Sequence, residues 1–177
     1  MLENSKHIII VGAGIAGLTA ALSLRHYGIR TSIYERSPEI ITAGAGIQLS
    51  PNANRVLSRI GVLKEISSVS IRCHGVKVFD YKSNQQLALF DYMKFKGNDL
   101  FYFCHRADLV GVLYAASQKL EIPVYFNKKV EKIVNNKAIF SDGEALPAEL
   151  IIGADGLHSN VRKTIADQAK PVFTRQI

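Results

Sequence analysis

Residues 7–17 read HIIIVGAGIAG, and the fold turns on how that stretch is understood. Ile8, Ile9, Ile10 and Val11 run on without a polar alternate, as a strand covered on both faces of a parallel sheet requires. A turn carrying Gly12, Gly14 and Gly17 follows at once. Residues 14–27 then place Ile15, Leu18 and Leu22 at helical spacing, and Gly28 suits the end of that helix. TSIYE at 31–35 reads as a second strand. The first 35 residues therefore predict strand, turn, helix and strand: one βαβ unit.

The turn has the pattern GxGxxG. Gly12 permits the sharp reversal, Gly14 lets a phosphate approach the backbone, and Gly17 lets the helix lie close on the strand. A pyrophosphate would sit at the helix N-terminus, where unpaired N–H groups and the dipole favour negative charge. Glu35 closes the second strand near the spacing at which an acid bonds a ribose hydroxyl. A carboxylate there favours an unphosphorylated ribose, as in FAD or NAD, and repels the extra phosphate of NADP. Arg36 either touches the adenosine end or is solvated.

Beyond this unit comes a Gly/Ala-rich loop, TAGAGIQL at 42–49, then a helix in PNANRVLSRIG opened by Pro51 and closed by Gly61. IRCHGVKVFDYK, QQLALFDY and DLFYFC, between 71 and 104, alternate like antiparallel strands with one solvated face. HRADLVGVLYAASQKL predicts a helix with Asp108 in its first turn. IPVYF (122–126) predicts a short strand, and residues 129–146 a small meander turning at Asn135-Asn136 and Asp142-Gly143. ELIIGAD (149–155) predicts another buried strand, and SNVRKTIADQ a helix from near Ser159. Asp155 thus falls at the carboxyl edge of the sheet, where ligands of such sheets bind. The same stretch also suits an ordinary strand–helix turn with Ser159 as N-cap.

Composition excludes several classes. The chain is 47% hydrophobic and 21% charged, as in ordinary soluble domains. Its net charge is +7, but the basic residues are scattered, so no nucleic-acid interface is expected. The apolar run at 7–11 is too short for a bilayer and leads into no cleavage site, so neither a membrane partner nor a targeting segment is expected. Cys73 and Cys104 read as free thiols of a reducing, cytoplasmic setting. No zinc spacing and no GxSxG nucleophile turn occurs, so no metal site is expected.

Five stretches in order, GAGIAGL, the acid Glu35, GAGIQLSPNANRVL, HRADL and GADGLHSNVR, resemble the single-component FAD-dependent aromatic hydroxylases. That family includes p-hydroxybenzoate and salicylate hydroxylases. GAGIQLSPNANRVL and HRADL look most like its salicylate hydroxylase-like branch. The resemblance covers nearly all of residues 6–165 and implies an α/β fold: a Rossmann-like FAD-binding domain, glutathione reductase-like, with a β-rich insertion from an incomplete substrate domain. It implies FAD as cofactor, NAD(P)H as co-substrate and a small aromatic substrate hydroxylated with O2. The cofactor-binding residues it implies begin with Gly12, Gly14, Ala16 and Gly17 at the first turn, and Glu35 and Arg36 at the adenosine end. Gly46 would offer backbone near the flavin half, and Arg106 a guanidinium to the phosphates or ribityl chain. Val130 would present backbone to the adenine. Asp155, in the DG turn with Gly156, would serve the pyrophosphate and NAD(P)H use, with Arg162 bracing that turn. The resemblance identifies no catalytic residue.

The family's third motif, a GD turn of the GDAAH type, does not occur in these 177 residues, which amount to under half the usual family length. The expected division is a FAD-binding domain over 1–70 and 105–177, lacking its carboxyl-terminal part, and a partial substrate domain over 71–104. Strands at 71–104 are expected to lack sheet partners. The expected function is that of a truncated FAD-dependent aromatic monooxygenase, inactive alone unless a complementing carboxyl-terminal chain supplies the rest. The alternative is a noncatalytic FAD-binding remnant or partner-dependent module.

Overall fold

The structure, a computed structural model, describes residues 7–40, 44–94, 100–166 and 173–174. The end of the helix expected to reach 168, and most of the AKPVFTRQI tail, lie outside the described residues. The chain forms two compact units, residues 1–41 with 113–177 and residues 42–112.

The first unit is built on a parallel sheet. Strands β1 (Ile8–Val11) and β2 (Thr31–Tyr34) flank helix α1 (Ile15–His26) in sequence. The sheet order is β12-β1-β2-β8, where β8 is Val124–Tyr125 and β12 is Leu150–Gly153. β1 is central, pairing Ile9 with Ile151 on one side and with Ser32 on the other. Covered on both faces, it needs the unbroken apolar run its sequence carries: Ile9 and Ile10 are fully buried. Each such side chain contributes on the order of 2 kcal/mol. α1 turns Leu18, Ala21 and Leu22 inward.

Two expectations are corrected here. ELIIGAD was expected to be a buried strand, yet β12 is the end strand of the sheet and Leu150 is half exposed. A run of apolar residues reports covered faces, not position in the strand order. The strand expected over 122–126 keeps only two residues in the ladder. Pro123 has no N–H to donate, although its carbonyl still accepts from Ile33 N–H (2.9 Å). Asn127, with φ +57°, then turns the chain away.

The meander follows as β9 (Val130–Val134), β10 (Lys137–Phe140) and β11 (Ala145–Pro147), antiparallel in the order β11-β10-β9. Asn135 and Asn136 both hold positive φ, as a two-residue hairpin turn demands. Helix α5 (Asn160–Ile165) closes the unit. Ile9, Val11, Tyr34, Val130, Ala138, Phe140 and Val161 share one buried cluster, which binds sheet, meander and α5 together.

The second unit holds strands β3 (Gly46–Leu49), β4 (Ile71–Cys73) and β7 (Phe101–His105) in the antiparallel order β3-β7-β4. It also contains α2 (Pro51–Arg59), α3 (Leu63–Ser68) and the hairpin of β5 (Gly75–Phe79) with β6 (Gln86–Asp91). Helix α4 (Arg106–Lys119) carries the division between the units within it. The β-rich stretch at 71–104 sits inside this unit, which reaches back to Thr42 because β3 pairs with β7. Its strands do find partners, contrary to expectation: β4 pairs with β7 and β5 with β6. The alternation at 75–91 does not mark one covered face, however. Val76, Val78, Leu87, Leu89 and Phe90 are all exposed, on both sides of a two-stranded ribbon. Inside the unit, Asn54 of α2 is fully buried and donates from Nδ2 to the Leu100 carbonyl (2.6 Å).

Among the described residues, no helix is long and apolar enough to cross a membrane. Both cysteines are free and buried.

Candidate functional site

The three glycines of the first turn occupy unlike surroundings. Gly12 has φ +105°, and a Cβ there would come within 2.5 Å of the Ala154 carbonyl oxygen. At Gly17 a Cβ would lie 1.9 Å from the Gly12 carbonyl oxygen. Both positions are therefore closed by the protein's own backbone. Gly14 differs: its φ of −80° suits any residue, and nothing lies within 4 Å of a Cβ placed there. It is the N-cap of α1, with no side chain capping the helix and no acid in the first turn. Ala16 stands in that first turn. Among the described residues, nothing occupies the place of a Gly14 Cβ, at the end of α1 where backbone donors and the positive end of the helix dipole lie.

Glu35 lies beside this turn, half-buried. One carboxylate oxygen accepts from Ala13 N–H (2.8 Å) and the other from Ser37 N–H (2.9 Å). The acid thereby ties the end of β2 to the glycine turn, and each oxygen keeps lone-pair capacity for a further donor. Arg36 next to it is exposed. The Glu35 carbonyl accepts from Lys128 N–H (2.8 Å), which sets the segment leading into Val130 against the end of β2.

Lys128 was not singled out by sequence reasoning. Its Nζ reaches both Asp142 Oδ2 (2.5 Å) and Glu144 Oε2 (2.6 Å), and lies over the Phe140 ring. Its hydrogen bonds, first to Asp142 and then to Glu144, push the ammonium pKa above its ordinary 10.5. The Lys128 bond, followed by the Glu144 backbone N–H, holds Asp142 below its ordinary 3.8. A raised lysine contributes stability that is present below 10.5 and lost as pH climbs through the folded value. A depressed carboxylate contributes stability that is present above 3.8 and lost as pH falls through its folded value. The clamp is therefore constant across neutral pH. Asp142→Asn is expected to flatten the decline in melting temperature below pH 3.8 while leaving the neutral slope unchanged, as thermal melts across that range would show. Beside the clamp, Tyr34 stacks on Tyr125 (5.0 Å), and burial, with Tyr125 adjacent, raises its phenol further above 10.0.

At the DG turn, Asp155 faces its own helix. Its Oδ1 accepts from Ser159 Oγ–H (2.5 Å), and its Oδ2 from the N–H groups of Asn160 (2.7 Å) and Val161 (3.3 Å). Ser159 is the N-cap of α5, accepting from Arg162 N–H (2.9 Å). Arg162 Nη2 donates to the Leu157 carbonyl (2.5 Å), so this arginine does brace the turn. The Val130 carbonyl accepts from the Asn160 side chain (2.9 Å).

The remaining two candidates come together in the second unit. Gly46 pairs with His105, and Arg106 N–H donates to the Ala45 carbonyl (3.2 Å). A Cβ at Gly44 would come within 2.8 Å of Arg106 Cδ, so the guanidinium stem runs along that glycine. A Cβ at Gly46 would meet nothing within 4 Å. Two motifs some sixty residues apart are thus one local structure, GAG against HR. Among the described residues, no cluster of His, Cys, Asp and Glu is arranged to hold a metal.

This geometry has close counterparts. A family model described as "FAD binding domain" matches residues 5–173. The 3-amino-4-hydroxybenzoate 2-monooxygenase of Streptomyces cremeus is 33% identical over 174 residues, covering 96% of this chain and 44% of that protein. The 3-hydroxybenzoate 6-hydroxylase 1 of Aquipseudomonas alcaligenes is 34% identical over 175 residues, covering 94% and 44%. A solved 2-methyl-3-hydroxypyridine-5-carboxylic acid oxygenase superposes with a TM-score of 0.83 at 28% identity, covering 92% of this chain and 43% of its own. The chain spans less than half the length of these relatives.

Proposed function

Because this chain belongs to the FAD-binding domain family, we propose that it seats FAD as the amino-terminal portion of an aromatic-ring monooxygenase. The observation that carries this reading is the free space before Gly14, at an uncapped helix N-terminus, with Glu35 fixed beside it. A pyrophosphate fits that space, and the adenosine ribose fits the remaining acceptor capacity of Glu35. Arg36 and the backbone at Val130 would complete the adenosine end. Arg106 and Gly46 would serve the phosphates and the flavin half. Asp155 would act through the turn it holds, since its carboxylate is engaged with α5.

FAD, when bound, supplies the redox chemistry by which NAD(P)H and O2 hydroxylate a small aromatic ring. The residues of this chain bind and orient the cofactor. Hydroxylation itself is proposed for an assembly in which a complementing carboxyl-terminal chain covers the flavin. A division into a partial substrate domain at 71–104 and a flavin-binding domain over 1–70 and 105–177 belongs to the same reading. The exposed apolar residues of the β5–β6 ribbon favour a second possibility, a noncatalytic FAD-binding module that works through a partner.

Titration of the purified chain with FAD, followed by flavin absorbance and fluorescence, is expected to saturate at about one FAD per chain. A folded chain that leaves FAD free in solution would overturn the proposal. NAD(P)H consumption coupled to a hydroxylated product would exclude the noncatalytic reading.

A further inference from the structure

We propose that Asn160 is a positioning residue for the adenosine end of the cofactor, an inference that rests on the FAD reading above. Its backbone N–H donates to Asp155 Oδ2 (2.7 Å), and its side-chain Nδ2 donates to the Val130 carbonyl (2.9 Å). Its Oδ1 accepts from Lys163 Nζ (2.8 Å). One residue thus joins the DG turn to the first residue of β9, two of the points at which this chain would meet its ligand.

The amide has a single workable orientation. Turned over, it would set an oxygen against the Val130 carbonyl and an NH2 group against an ammonium. Val130 is nearly fully buried, so its carbonyl needs a donor, and losing that donor carries a desolvation cost. The apolar cluster holding Val130 and Val161 brings α5 and β9 close, but apolar contact has no direction. The Asn160 hydrogen bond has one, and fixes the planar peptide unit between Val130 and Glu131. Tight binding demands that recognition groups be held to within about 0.5 Å before the ligand arrives.

Asn160→Asp tests the idea because it keeps the size and removes the donor. An acid in the first turn of α5 suits the helix dipole and keeps Lys163 as partner, so the fold should persist. Affinity for FAD, and for ADP as a probe of the adenosine end alone, is expected to weaken about tenfold for both. The melting temperature should fall by about 2–10 °C, the cost of one buried carbonyl left without its donor, with a cooperative transition retained. Asn160→Gln, which keeps an amide donor, should recover most of the affinity. If the parent binds both ligands and Asn160→Asp binds them equally well, this inference fails alone. If the parent binds neither, the FAD reading fails and takes this one with it. A lost melting transition in Asn160→Asp, or a Gln variant as weak as the Asp variant, would mark Asn160 as structural and overturn the proposal.

Discussion

Gly17→Ala is expected to destabilise the fold severely. A Cβ at that position would sit 1.9 Å from the Gly12 carbonyl oxygen, and the atom it meets is backbone, not the far end of a flexible side chain. Relief requires α1 or the glycine turn to move by more than about 1 Å, in an interior packed as densely as a crystal. α1 cannot shift freely, because Leu18, Ala21 and Leu22 are seated in the core. The turn cannot shift either, because Gly12 N–H is bonded to the Tyr34 carbonyl (2.8 Å) and its Cα faces the Ala154 backbone. The cost is expected to reach about 4 kcal/mol or more, against a total stability of roughly 5–15 kcal/mol for a domain. Urea or thermal unfolding followed by circular dichroism measures it directly. A midpoint within a few degrees of the parent would show that the turn is looser than described.

Gly14→Ala, three residues earlier, is expected to do the reverse. Its backbone is in the extended region, where alanine is at ease, and the added methyl meets no protein atom. The unfolding midpoint should be that of the parent. The methyl does fill the space through which a phosphate would approach the start of α1, and FAD affinity should fall about a hundredfold or more. Flavin titration of the same preparation used for the melt keeps folding and binding apart. Parental affinity in a folded Gly14→Ala chain would place the pyrophosphate elsewhere.

The first βαβ unit was legible because its signals are local and agree with one another: an uninterrupted apolar strand, a glycine turn, helical spacing and an acid at the right interval. The hairpin turn at Asn135-Asn136 and the Ser159 cap were readable for the same reason. Strand order was not, since runs such as IIIV at 8–11 and LII at 150–152 look alike at the centre and at the edge of a sheet; hence β12 emerged with Leu150 half exposed. The alternation at 75–91 suggested a covered face because such patterns normally imply one, yet exposure depends on what packs against a ribbon, which its own residues do not state. Lys128, Asn160 and the buried Asn54 were missed because each acts through a partner 14 to 46 positions away. A single sequence marks no such pairing. Within GADGLHSNVR, the aspartate and glycines drew attention, while the asparagine that ties this turn to the meander looked like filler.

The unequal space around the three glycines also bears on descent. Were the chain released from any need for a ligand, selection for folding alone would still preserve Gly12 and Gly17, since backbone atoms bar any side chain at either. Gly14 would be under no such guard, and ordinary mutation would soon replace it at no expense to the fold. Two of the glycines are therefore held by the fold itself, whereas only a bound ligand would hold the third. In a chain still carrying all three, the middle one is the position where drift would first become visible.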